Sequence, residues 1–396
     1  MYAKCGMLDR AQTLFDSLTV HDVISWNALL AGYSHNGYGH KALSCFEQMQ
    51  SEGFHPDAVT FTCSLKACGI VGDGDKGTAI HDRVRKLGLI ENNIILGNAL
   101  VDMYAKCGLL QDAHKTLKGL RVKDIVSWNA LIAGYAEHGP AQEVLACLEQ
   151  MELEKISLDA ISFVYVLKAC GNAGAIDQGQ ELHAEIARRG LENDSHIGST
   201  LIDMYAKCGL AMDAILVFNN LPVQDVVSWN AIIKGCGMNH NGKKAVEYFE
   251  GMQKQGLKPD AVTFPCLLSA CSHAKLVAKG KEMFELMPTV HGIRPSLDHY
   301  NCMIDILSRA GRIKEALRFI ESMPCLPSID MWTAILSACK EHDLAEDVLG
   351  CYTDMQLDGV IQDVVSVVYA LKACDMEMAI HKGTLIHTEI EKQWTA

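Results

Sequence analysis

Ser25-Trp26-Asn27-Ala28-Leu29-Leu30 returns as Ser127-Trp128-Asn129-Ala130-Leu131-Ile132 and again as Ser228-Trp229-Asn230-Ala231-Ile232-Ile233, at intervals of 102 and then 101 residues. A second phrase, Met1-Tyr2-Ala3-Lys4-Cys5-Gly6, recurs from Met103 and Met204 at the same two intervals. A third, Lys66-Ala67-Cys68-Gly69, recurs from Lys168 after 102. Three phrases sharing one period mark internal duplication, so the chain is an array of repeats and its core is spread along its length.

The period divides into units of 35, 36 and 31 residues at 23 to 57, 58 to 93 and 94 to 124, then 35, 35 and 31 at 125 to 159, 160 to 194 and 195 to 225. Units 226 to 260, 261 to 296 and 297 to 328 keep the order. In the first unit, Trp26, Leu29, Leu30 and Tyr33 follow the i, i+3, i+4, i+7 rule of a one-faced helix. Gly37 and Gly39 are expected to break it, and a second helix carries Ala42, Leu43, Phe46 and Met49 before stopping at Gly53. Neither helix buries its stripe alone. Neighbouring pairs must therefore stack into an all-α solenoid, whose hand this argument leaves open. Residues 329 to 363 form a further unit, with Met331-Trp332-Thr333 in place of Ser-Trp-Asn. Residues 1 to 22 and 364 to 396 are partial units.

Nine prolines and no low-complexity run point to order throughout. No apolar run reaches the ~18 residues needed to span a bilayer, so no membrane is expected. Of the sixteen cysteines, eight recur at two repeat positions. Cys5, Cys107 and Cys208 hold one; Cys68, Cys170, Cys271, Cys339 and Cys374 hold the other. Both sets read as reduced, core-filling thiols. The chain opens at Met1 inside a unit, and no signal or transit peptide is legible. A formal charge of −13 opposes non-specific attraction to nucleic acid.

The 35, 36, 31 rotation together with these phrases resembles the plant pentatricopeptide repeat proteins of the PLS class, over the whole chain. The resemblance implies a right-handed α-α superhelix of tandem helix-turn-helix repeats. It makes residues 1 to 22 a partial S-type repeat, 23 to 328 nine P-, L- and S-type repeats, 329 to 363 a P-like or E-type motif, and 364 to 396 a partial L-like repeat. It also implies binding of single-stranded organellar RNA, one repeat to one base, in a mitochondrion or chloroplast. The fifth and last residues of each unit then read the base, and the second packs against it. The pairs are Asn27 with Asp57, Thr62 with Asn93, Asn98 with Asp124, Asn129 with Asp159, Val164 with Asp194, Ser199 with Asp225, Asn230 with Asp260, Pro265 with Ser296, Asn301 with Ser328, and Thr333 with Asp363. Ile24, Val126 and Val227 are the expected apolar partners of the bases. An Asn amide offers a donor and an acceptor to a base edge, whereas Val164 and Pro265 offer neither. By the same resemblance Asn with Asp favours uridine, Asn with Ser cytidine, and Ser or Thr with Asp guanosine. The expected target runs U, unread, U, U, unread, G, U, unread, C.

Catalytic readings fail on spacing. His183-Ala184-Glu185 and His387-Thr388-Glu389 match the His-x-Glu of zinc deaminases, but no Cys-x-x-Cys accompanies them. No Walker-type loop is present, Gly72 to Asp75 reads as a turn, and no cysteine stands in a nucleophile motif. The expectation is a non-enzymatic recognition protein with no cofactor, metal or small-molecule substrate, serving C-to-U editing with a deaminase or accessory protein supplied in trans. The alternatives are an RNA stability, splicing or translation factor, and a protein-binding helical scaffold. A further alternative is a reading frame with no function of its own.

Overall fold

The computed structural model describes residues 2–91, 93–342, 344–360 and 362–394, which form helices and, among the described residues, no strand. The chain falls into two compact units, Met1–Ile186 and Ala187–Ala396. The first holds the hairpins Val23–His35 with Gly39–Ser51, Ala58–Val71 with Gly74–Lys86, Ile94–Lys106 with Leu110–Gly119, and Ile125–His138 with Ala141–Leu153, followed by the helix Ala160–Ala173. The second holds Ser195–Lys207 with Ala211–Asn220, Val226–Met238 with Gly242–Lys254, Thr263–His273 with Val277–Val290, Leu297–Arg309 with Ile313–Glu321, Ile329–Glu341 with Ala345–Leu357, and Val364–Met376 with Ile380–Trp394. Within each unit, the first helix of every hairpin packs against the first helix of the next. Each second helix packs between its own partner and the following first helix.

Local chemistry fixes where the first helices begin and end. Asp124 opens one with a capping box: Ser127 N–H donates to its carboxylate at 2.9 Å, and Asp124 N–H donates to the Ser127 hydroxyl at 3.1 Å. The Met-Tyr-Ala-Lys-Cys-Gly phrase is a helix end. Gly108 sits at φ +72°, and the N–H groups of Gly108 and Leu109 reach back to Ala105 and Tyr104 at 3.1 and 2.9 Å.

The repeated phrases also meet one another. Gly134, in the helix after Trp128, lies so close to Ala105 that a Cβ on it would stand 2.6 Å from the alanine Cβ. Gly32 meets Ala3 at the same 2.6 Å, and in the second unit Gly235 meets Ala206 at 2.8 Å. Gly39 is not the helix breaker that its neighbour Gly37 suggests. It begins the second helix of its hairpin, where a Cβ would lie 2.6 Å from Val71 Cγ2. Trp26 and Trp128 are 1% and 2% exposed, so both are core. Trp26 meets Phe15 edge-on at 4.5 Å, and Trp229 meets Phe218 at 4.8 Å.

Cys68, Cys170, Cys271, Cys339 and Cys374 are buried. Burial raises the thiols of Cys68 and Cys271 to about 12 and about 11, keeping them protonated. The other cysteine position differs from the reading as core. Cys5 is exposed, and Cys107 and Cys208 are half-buried, because they occupy the helix C-cap at the rim of the stack.

Candidate nucleic-acid interface

Residues two and five of each first helix are three apart, so they stand as neighbours on one helical face. Ile24 and Val126 are 76% and 56% exposed, and Val227 of the second unit is 48% exposed. Val59, Ile95 and Ile161, and Val262 in the second unit, occupy the same place and are also exposed. They extend the apolar row beyond the three residues singled out from the sequence, and their shared offset in each unit was the signal for it.

Beside this row the structure joins Asn to Asp across successive first helices. Asn27 Nδ2 donates to both carboxylate oxygens of Asp57 at 3.0 and 3.1 Å, and Asn129 does the same to Asp159. Asn98 donates to Asp124 at 3.1 and 3.2 Å. In the second unit, Asn230 donates to Asp260 at 3.2 Å, and Ser328 donates through its hydroxyl to Asn301 Oδ1 at 3.0 Å. One Nδ2 proton is thereby committed and the amide is oriented.

Other pairs are not joined by a hydrogen bond. Thr62 donates to the Ala58 carbonyl at 2.8 Å, while Asn93 accepts the Leu96 N–H. Ser199 donates to the His196 carbonyl, and the hydroxyl on Asp225 is instead that of Ser195. Sequence reasoning missed Ser195, which stands at the first position of its unit. Val164 is half-buried in the first unit; in the second, Asp194 caps its helix through the N–H groups of His196 and Ile197. The Pro265 carbonyl faces the Cys302 thiol, and Ser296 pairs with His299 in a capping box. Thr333 bonds to Ile329, and Asp363 caps through Ser366.

The aspartates have a second task. Asp57, Asp124, Asp159 and Asp225 are N-caps of the helices that follow them. Burial pushes Asp57 and Asp159 up, but bonds from the next helix's backbone N–H groups, the Asn amide and the third-position hydroxyl outweigh it, so both lie below the ordinary value. Asp225 is lowered against burial by Ser195 and Ser228, and Asp260 by Thr263 and Asn230. These carboxylates are charged at neutral pH and act as acceptors.

Four residues beyond Asn98, Ser199 and Asn301, the helices Ile94–Lys106, Ser195–Lys207 and Leu297–Arg309 carry ion pairs. Lys106 meets Asp102 at 2.8 Å, Lys207 and Lys234 meet Asp203 at 2.8 and 3.0 Å, and Arg309 meets Asp305 at 2.9 Å. Among the described residues no cluster of three or more His, Cys, Asp or Glu is placed to hold a metal ion. His183 lies within the helix Ile176–Arg188, and the Glu389 side chain lies outside the described residues.

The sequence matches the PPR repeat family over residues 21–69, 123–172 and 224–273, and the PPR repeat over 98–125, 199–224, 291–324 and 330–360. It is 40% identical over 357 residues to the pentatricopeptide repeat-containing protein At2g33680 of Arabidopsis thaliana, covering 90% of this chain and 49% of that one. It is 38% identical to the chloroplastic At1g11290 of the same plant, covering 86% of this chain and 42% of the relative. The chain thus spans about half the length of these curated relatives or somewhat less. Its fold matches the crystal structure of the pentatricopeptide repeat protein PPR10 from maize with a TM-score of 0.70 at 19% identity, covering 99% of this chain and 57% of that one. PPR10 has also been solved in complex with an 18-nt psaJ RNA element.

Proposed function

The chain belongs to the pentatricopeptide repeat family, and we propose that it binds single-stranded RNA in a sequence-specific way, one repeat to one base. The carrying observation is the juxtaposition of an oriented Asn amide with an exposed apolar side chain one turn away, as at Asn129 and Val126. An unstacked base needs both: an edge to hydrogen-bond and a surface to lie on. Ile24, Val126 and Val227 supply the surface. Asn27, Asn98, Asn129, Ser199, Asn230 and Asn301 supply the edge contacts, with Asp57, Asp124, Asp159, Asp225, Asp260 and Ser328 behind them. Thr62 with Asn93 stands at the unread second place of the target, its two side chains not bonded to each other.

The rotation of unit lengths supports assignment to the PLS class. It also supports a role in site recognition for C-to-U editing in the chloroplast or mitochondrion, where the deaminase comes from another chain. The target read in chain order is U, unread, U, U, unread, G, U, unread, C.

Fluorescence anisotropy with a nine-nucleotide RNA of that pattern and with a scrambled control tests the reading. Tighter binding of the patterned RNA is expected, and Asn129 and Asp159 changed together to alanine should weaken discrimination at the fourth base. Equal affinity for the two RNAs sinks the assignment. Absence of binding with helicity retained removes RNA recognition altogether.

A further inference from the structure

The Asn–Asp pairs are alike in sequence but not in hydrogen bonding. The third residue of the following repeat is Ser or Thr, and its buried hydroxyl takes one of three directions. Thr60 stands 2.6 Å from Asn27 Oδ1 and 2.9 Å from Asp57 Oδ1, and Ser162 stands 2.7 Å from Asn129 Oδ1 and 2.9 Å from Asp159 Oδ1; each donates its one proton over the shorter distance, to the amide. Ser127 donates to the Asp124 backbone carbonyl at 2.8 Å, away from Asn98. Thr263 reaches the Asp260 carboxylate at 2.9 Å, away from Asn230. The amide carbonyls of Asn98 and Asn230 consequently have no protein partner, although the Oδ1 atoms are buried.

We propose that the hydroxyls of Thr60 and Ser162 are additional determinants of base choice, acting on the base through the Asn amide. Resting on the recognition reading above, this choice follows from donors and acceptors. Uridine presents N3–H, a donor; cytidine presents N3, an acceptor. An Asn whose buried Oδ1 has no protein bond to hold it can turn that oxygen towards uridine N3–H and accept from it. An Asn whose Oδ1 already receives a short hydroxyl bond is a weaker acceptor, and polarisation along the chain of bonds makes its remaining Nδ2–H a better donor. Asn27 and Asn129 therefore tolerate cytidine more than Asn98 and Asn230 do. Thr60 and Ser162 are 0% exposed, so they touch no RNA and are positioning residues.

The test uses the full chain and the nine-nucleotide RNA with the fourth base, opposite Asn129, as U or C. Ser162→Ala is expected to raise the U-over-C affinity ratio about fivefold, the scale of one neutral hydrogen bond. Ser162→Thr should leave it unchanged. Thr263→Val removes an equivalent capping hydroxyl that does not reach its Asn, and should leave the ratio at the seventh base unchanged. Thr60→Val, read at the first base, repeats the test should Ser162→Ala melt out. If the parent discriminates at the fourth base while Ser162→Ala and Thr60→Val leave their ratios unmoved, the inference is overturned and the recognition reading stands. If the parent does not discriminate at the first and fourth bases, both fall.

Discussion

Asp159 is the residue on which folding and the proposed recognition converge. Its carboxylate receives Ser162 N–H at 2.8 Å as a helix cap and Asn129 Nδ2 at 3.0 Å from the preceding repeat. Asp159→Ala should cost about 1–2 kcal/mol in urea unfolding, from the lost cap and the stranded amide. The charge adds a pH dependence. The folded pKa values of Asp57, Asp159, Asp225 and Asp260 lie below the ordinary one. Their contribution to stability is thus complete above about pH 4 and is lost as pH falls through the folded values. Asp159→Asn should flatten that acid limb in circular dichroism titrations; an unchanged limb would show that this carboxylate carries no such linkage.

Helices and their stacking were largely legible in the sequence, because the i, i+3, i+4 apolar pattern and the glycine ends state each helix locally. The meeting of Gly134 with Ala105 was not, since it joins two phrases that the sequence shows only as separate markers. Gly134→Val should destabilise by about 1–3 kcal/mol through overpacking between adjacent first helices, measured as a lower urea midpoint at constant slope. The site was legible as positions and not as bonds. Asn129 and Asp159 came as candidates from the family resemblance, yet the direction of the Ser162 proton depends on a rotamer fixed by packing. Ser195 escaped because a residue at position one gives no signal until its helix is placed beside Asp225. The rim cysteines were misread because a recurring thiol looks the same in sequence at a helix end as in a core.

At the scale of the molecule, the formal charge of −13 sets how RNA would be held on the proposed reading. Of the eight Lys and Arg on the first helices, Lys106, Lys207, Lys234 and Arg309 are ion-paired with aspartates, which leaves Lys66, Lys168, Lys340 and Lys372 for phosphates. Affinity should accordingly depend weakly on salt. A log–log slope of about −2 or shallower is expected for single-stranded RNA, corresponding to about three neutralised phosphates. A steep slope would mean that charge attraction, and not the Asn and apolar contacts, dominates binding.

The capping role of the last residue in each unit sets a vocabulary. From Asp57 to Asp363 that position holds only Asp, Asn or Ser, the side chains best able to start a helix. Whatever base a repeat is to choose, the letter it uses there must first be one that folding accepts. The repertoire of RNA sequences open to such an array is thus filtered before selection on binding begins. Retargeting by substitution should succeed most readily between those three residues, where one letter is exchanged for another without silencing the helix it opens.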